Sequence, residues 1–319
     1  MIQFPGAHSA HAPAGPQAQL LDRLGDLLYG ISVVVFVLVV AALLVAAFRR
    51  RRADEQAEDP ARERRMTMAV AAAVGATVAI LVVVLFLSFG SGRELTGTAP
   101  PGALQVRVTG RQWFWDVEYR DSVPSRWATT ANEIHVPVGR PVVFQLRSTD
   151  VIHSFWVPNL GVKRDMIPGQ ETSIWFQADT PGVYRGQCAE FCGYQHAKMA
   201  FLVVAEPPDR FATWLQRQRD TARTPTDSLA RRGEEVFLAS SCVMCHAVGG
   251  TPAGSRVGPN LTHLASRRTL AAGTLPNTRG HLAGWIVDPQ QIKPGSRMPP
   301  NALSPDDLQA LLADLESLE

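Results

Sequence analysis

"CAEFCGYQHAKM", residues 188–199, sets two cysteines, a histidine and a methionine within a dozen positions of a chain that has four cysteines in all. The stretch follows a strand-like run at 183–187 and precedes another at 200–204, so it reads as a loop between two paired strands. A Cys188–Cys192 disulfide would leave His196 and Met199 unexplained, and bridges closing so small a loop strain the bond geometry. Both thiolates with His196 and the distant His153 of "DVIHSFWVP" would suit tetrahedral zinc. A thioether adds little to a zinc site. Thiolate, imidazole and weak thioether together are the donors copper selects, and two thiolates can bridge two copper ions, each capped by one histidine. Met199 and a backbone carbonyl then remain as weak axial ligands.

The sequence around the loop supplies a frame. Short β-branched and aromatic runs are predicted as strands at 104–109, 113–119, 133–137, 142–147, 173–177, 183–187 and 200–204. Turn chemistry separates them at "VGRP" (138–141), "PGQE" (168–171) and "TPG" (180–182). Many short strands with such punctuation indicate an all-β sandwich or Greek-key barrel, placed at residues 93–206. Residues 207–227 read as a linker with a short helix at 211–219 followed by a flexible joint.

Upstream, residues 27–48 and 66–89 carry no charged side chain, and each reaches the roughly 20 residues that a bilayer core requires. They are expected to form a two-helix transmembrane hairpin over 27–92, after an external N-terminal segment, 1–26. The loop "RRRRADEQAEDPARERR", 49–65, concentrates arginine between the spans, which places it in the cytoplasm and everything after Gly92 outside. No basic n-region precedes the first span, so a cleaved signal peptide is not expected. A net charge of +2 in 319 residues gives no reason to expect nucleic-acid binding. All four cysteines fall on the oxidising side, where unprotected neighbouring thiols tend to become disulfides.

The last third, 228–319, is helical in pattern. "CVMCH", residues 242–246, matches the c-type haem attachment motif, in which the two cysteines, here Cys242 and Cys245, form thioethers to the porphyrin and the histidine, here His246, binds iron. Met298 in "GSRMPP" is the only methionine after His246 and is the expected sixth ligand, with His263 and His281 as the other nitrogen donors. The closing run "SPDDLQALLADLESL" has Ser304 as N-cap, Pro305 at the first helical position and Leu308, Leu311, Leu312 and Leu315 along one face.

The spacing Cys188-x-Glu190-x-Cys192-x-x-x-His196-x-x-Met199, with "HSFWVP" at 153–158 and "QWFW" at 112–115, resembles cytochrome c oxidase subunit II. The likeness extends over both spans and the sandwich. It implies a cupredoxin-like domain with a dinuclear copper centre (CuA), bound by the side chains of His153, Cys188, Cys192, His196 and Met199 and by the backbone carbonyl of Glu190. It also implies that the Glu190 carboxylate can help hold magnesium at the boundary with subunit I, and that Trp113 is the surface aromatic through which electrons enter. Residues 228–319 resemble a class I cytochrome c, with Gly233 and Phe237 in its first helix, "GPNL" at 258–261, "WIVDP" at 285–289 and the closing helix from Leu308.

Together the two likenesses imply a subunit II with its donor domain fused behind it, in the bacterial inner membrane, with partner subunits I and III and an external electron donor. Oxygen reduction would occur in subunit I. A nitric oxide reductase with a similar copper subunit, and a stand-alone membrane-anchored carrier, are the alternatives. A short linker would hold the haem domain near the copper at millimolar effective concentration.

Overall fold

Val106 and Val108 alternate with half-buried neighbours along β1 (Leu104–Arg111), and Val142, Phe144 and Leu146 do the same along β5 (Val142–Ser148). This period-two pattern gives each strand one face for a core and one for solvent. In the computed structural model, which describes residues 8–50 and 60–319, those faces close a β-sandwich. Residues 1–7 and 51–59 lie outside the described residues, so most of the arginine-rich loop and the start of the N-terminal segment are among them. The chain divides into two units, residues 19–97 and the remainder.

One sheet contains β1, β2 (Phe114–Tyr119), β3 (Ala128–Ala131), β5 and β8 (Thr172–Phe176), in the order β3-β2-β1-β5-β8. The other contains β4 (Glu133–Pro137), β6 (His153–Trp156), β7 (Arg164–Met166), β9 (Gly182–Cys188) and β10 (Ala200–Glu206), in the order β4-β10-β9-β6-β7. The pairs β1–β5 and β10–β4 are parallel and the rest antiparallel, so the chain crosses between sheets as Greek-key sandwiches do. Trp115, Phe144, Phe155 and Phe201 fill the space between the sheets, and Phe155 stacks on Phe201 at 4.7 Å.

Two strands, β3 and β7, are absent from the sequence-based expectation. Each has only three or four residues, too few to show a period. Trp113 is also displaced from its expected strand. Arg111 pairs with Phe114, so Gln112 and Trp113 form the two-residue turn between β1 and β2, and Trp113 does not share a strand face with Trp115.

Residues 207–227 hold less slack than a flexible joint suggests. α3 (Pro208–Arg217) buries Phe211 in the sandwich core and stacks Trp214 on His135, ring centroids 4.0 Å apart. Arg219 donates to the Arg126 carbonyl at 2.8 Å, and three residues later Ala222 N–H already bonds the Gly249 carbonyl of the helical domain.

That domain is framed by α4 (Ser228–Ala239), capped by Asp227, and α7 (Pro305–Leu315), capped by Ser304. The two cross at Gly233, where a Cβ would stand 2.0 Å from the Ala310 carbonyl oxygen, so only glycine permits the approach. Phe237, Leu311, Leu312 and Leu315 pack into the core beside them, with α5 (Arg279–Val287), α6 (Pro289–Ile292) and the small hairpin of β11 (Thr269–Leu270) and β12 (Leu275–Pro276). In the other unit, α1 (Pro16–Arg50) and α2 (Pro60–Leu95) are long and apolar enough to cross a bilayer, and carry exposed apolar side chains such as Phe36 and Phe86.

Candidate metal centres

Strand pairing brings the first donor set together. β6 runs antiparallel to β9 with Phe155 opposite Cys188, which carries His153, one end of β6, to the cysteine loop. His153 Nδ1 lies 3.8 Å from Cys188 Sγ, Cys188 Sγ 3.7 Å from Cys192 Sγ, and Cys192 Sγ 3.7 Å from His196 Nδ1 and 3.8 Å from Met199 Sδ. The Glu190 carbonyl oxygen is 3.2 Å from Cys188 Sγ. Two sulfurs on one metal at about 2.3 Å and a tetrahedral angle stand about 3.8 Å apart, while a disulfide needs about 2.05 Å. The cysteines are free thiols at the spacing of donors around metal. His153, Cys188, Cys192 and Met199 are all buried while His196 and Glu190 are half-buried, and the donor chemistry, two sulfurs, two imidazoles, a thioether and a carbonyl, is suited to copper.

The electrostatics of the pocket favour a sulfur anion. The Cys192 thiol, hydrogen-bonded to Cys188, pulls the Cys188 thiol far below its ordinary value, with help from His153 and the backbone, while Cys192 retains the proton and is pushed up. Burial opposes a charge on His153, yet the Asp150 carboxylate beside it wins and raises its pKa. His153 Nε2 is 2.8 Å from Asp150 Oδ1, which assigns that nitrogen its proton and leaves Nδ1 facing the sulfurs. Asp150 also accepts the backbone N–H groups of Gln112 and Val151. The sequence reading passed over it, although an acid three residues before a candidate ligand was visible.

Trp113 is half-buried beside this loop. Its indole N–H donates to the Cys192 carbonyl at 2.9 Å, and the Gln112 side-chain amide donates to the same oxygen at 2.9 Å. Glu190 turns its carboxylate outward to Lys163, 3.6 Å away and about half exposed.

In the helical domain, Cys242 lies within a short 3-10 turn, Ser241–Met244, that Cys245 closes, and the backbone N–H groups of Cys245 and His246 both bond the Cys242 carbonyl. His246 Nδ1 bonds the Pro259 carbonyl at 2.8 Å, leaving Nε2 for iron, and burial keeps the ring neutral by lowering its pKa. Gly258 leaves room for that imidazole, since a Cβ there would stand 2.7 Å from the ring. Arg267 is buried nearby; it donates to the Asn260 carbonyl, and its Nε has no partner. The two attachment cysteines, the His246 ring held through Nδ1 and the space kept clear at Gly258 fit haem. His263 has both ring nitrogens occupied by the carbonyls of Glu319 and Asp220, and His281 Nδ1 is taken by Thr278. His281, bonded through Nδ1 as His246 is, and Met298 both remain candidates; Met298 lies in a loop braced by Gln290, whose amide donates to the carbonyls of Ser296 and Met298 at 2.9 and 2.8 Å.

Comparison with known proteins covers both domains. Residues 123–206 match the family model "Cytochrome C oxidase subunit II, periplasmic domain", and residues 230–319 match "Cytochrome c". Cytochrome c oxidase subunit 2 of Alkalihalophilus pseudofirmus is 38% identical over 247 residues, 75% of this chain and 70% of that protein. Its counterpart in Bacillus subtilis is 31% identical over 245 residues, 73% and 67% of the two chains. The periplasmic domain of subunit II of cytochrome oxidase from Bradyrhizobium japonicum is 32% identical, covering 38% of this chain and 97% of that one, with a TM-score of 0.36. The chain belongs to the cytochrome c oxidase subunit II family, and carries a cytochrome c domain behind its copper-type sandwich.

Proposed function

We propose that this chain is the electron-entry subunit of a haem-copper cytochrome c oxidase, receiving electrons from an external donor at a covalently held haem c and passing them by way of Trp113 to a dinuclear copper centre and on to subunit I, where dioxygen is reduced to water. Cys242, Cys245, His246 and Met298 would hold the haem; His153, Cys188, Cys192, His196, Met199 and the Glu190 carbonyl would hold the copper. When bound, the two groups supply one-electron carriage. The protein's own work is positional. Asp150 fixes the tautomer of His153, the pairing of β6 with β9 fixes its distance, and burial keeps water from the sulfurs.

The observation that carries this reading is the double engagement of Trp113. Its indole N–H touches the carbonyl of a candidate copper ligand, and its backbone carbonyl accepts from Lys293 of the cytochrome domain. The Glu190 carboxylate, at the exposed rim, would serve magnesium at the boundary with subunit I. The setting is a bacterial inner membrane crossed twice, with both metal domains outside and subunits I and III as partners.

Metal analysis and electron paramagnetic resonance of the purified complex test the reading. Two coppers per chain sharing one delocalised spin are expected; zinc, or a single copper with a localised spin, would sink it. Replacing Trp113 with leucine is expected to slow haem-to-copper transfer by about 100-fold with both spectra retained. An unchanged rate would move the entry point elsewhere.

A further inference from the structure

Lys293 follows α6 in the cytochrome domain, five positions before Met298, and is 2% exposed. Its ammonium group donates to three backbone carbonyls: Trp113 at 3.3 Å, Lys198 at 2.9 Å and Ala271 at 3.1 Å. These come from three segments: the β1–β2 turn that carries Trp113, the copper-type loop one residue before Met199, and the β11–β12 hairpin. A lysine ammonium has three N–H donors, and all three are used. Among the described residues no carboxylate is bonded to it, and burial brings its pKa down to about 7, so the group depends on these peptide carbonyls, an arrangement that persists only where the surrounding structure fixes it.

The same short stretch supplies the contacts that ring this cation. Gln195 donates to the Pro294 carbonyl, Lys198 to that of Ile292, and Arg297 to Gln112 Oε1 at 2.7 Å. Ala200 N–H donates to the Ala272 carbonyl at 3.0 Å, and Arg268 N–H to Glu133 Oε2 at 2.9 Å. Copper-type loop and haem-type loop are therefore parts of one hydrogen-bonded surface, and Lys293 is its buried centre.

We propose that Lys293 is a positioning residue for electron transfer: it locks the Met298 loop against Trp113 and the Lys198–Met199 segment, so that electrons cross between permanently docked domains and not by repeated encounter on a tether. The proposal rests on the functional reading above for its electron-transfer consequence, but the docking itself can be measured without any electron moving. A residue that merely stabilised its own loop would leave the contact between domains, and the salt response of transfer, as they are.

The test uses the complete oxidase complex with Lys293→Met, which keeps the stem and removes the donors. Hydrogen exchange at the amides of Ala200 and Arg268 is expected to quicken by about 10- to 100-fold, the equivalent of one hydrogen bond from a charged group. Haem-to-copper transfer is expected to slow and to become dependent on salt, with the copper spectrum unchanged. Equal exchange at both amides in variant and wild type would overturn the proposal. Should the variant not assemble, the wild-type complex decides: a buried cation is little screened, so its transfer rate should stay flat between about 0.05 and 0.5 M salt, and a rate that falls overturns the proposal. A complex that lacked paired copper would defeat the functional reading alone, because the exchange of Ala200 reports docking whatever metal is bound.

Discussion

His153 and Met298 are each the distant member of a candidate ligand set, and the fold holds them by different means. His153 ends a strand whose neighbour leads straight into Cys188, and Asp150 pins its second nitrogen. Met298 lies on a loop braced by the Gln290 amide, with Lys293 and Arg297 of the same stretch reaching the other domain. One position is set inside its own domain by sheet hydrogen bonds. The other depends in part on contact with its neighbour. The copper-type site should thus keep its geometry when the cytochrome domain is disturbed, while the Met298 loop should register changes on the sandwich.

The sharpest way to break that contrast is Asp150→Ala. It frees the His153 ring and removes the acceptor for two backbone N–H groups. Loss of such a partner is expected to weaken metal binding by about 10- to 100-fold, read as copper retention against a chelator. Gln290→Ala serves as the counterpart: it should loosen the Met298 loop and shift the haem spectrum while copper retention stays at the wild-type level. Equal loss of copper in both variants would mean that the two sites are not independently built.

A second contrast concerns how α3 is held. His135 is buried with Nδ1 3.1 Å from Glu206 and Nε2 3.0 Å from Glu133, it stacks on Trp214, and Tyr119 bonds its backbone. Arg268 and Arg210 lie close enough to act on Glu206. Burial opposes the imidazolium, but the two carboxylates prevail and raise its pKa above 6.5. The stabilisation is therefore complete below pH 6.5 and is lost as pH rises through the higher folded-state value. Thermal unfolding of the full chain should show a midpoint that falls over that window by about 2–4 °C for each kcal/mol lost. The slope should flatten in His135→Phe; the same slope in both chains would assign the pH response to another group.

Much of this was legible in the sequence, for a physical reason. Cys188, Cys192, His196 and Met199 are close in sequence because one loop must supply them to one small volume, and "CVMCH" must span one edge of a ring. Ser304 and Pro305 announced α7, since capping is a local matter. Asp150 is readable from its place three residues before His153, but Arg267, His135 and Lys293 were not legible. Their roles arise from partners up to 180 residues away, as between Lys293 and Trp113, and a lysine in a polar stretch gives no sign that it will be buried. Trp113 was legible as a residue but misplaced in geometry, because its strand pattern runs unbroken through what is a turn.

The interface itself offers the finest comparison, between its buried centre and its rim. Arg256 of the cytochrome domain pairs with Glu118 at 2.7 Å and reaches Asp116 at 3.4 Å, with its side chain half exposed. Asp116 is desolvated enough that its pKa is raised despite the nearby arginines, so that contact contributes little, whereas the pKa of Arg256, against the cost of burial, is raised chiefly by its bond to Glu118. Arg256→Ala should therefore weaken docking by no more than about 1 kcal/mol, and the loss should vanish at high salt, since exposed charges are screened and buried ones are not. The exchange rate of the Ala200 amide measures both variants on one scale. A larger loss in Arg256→Ala than in Lys293→Met would place the docking energy at the rim, and the haem domain would then be steered to the copper loop by long-range attraction and not held there by its buried cation.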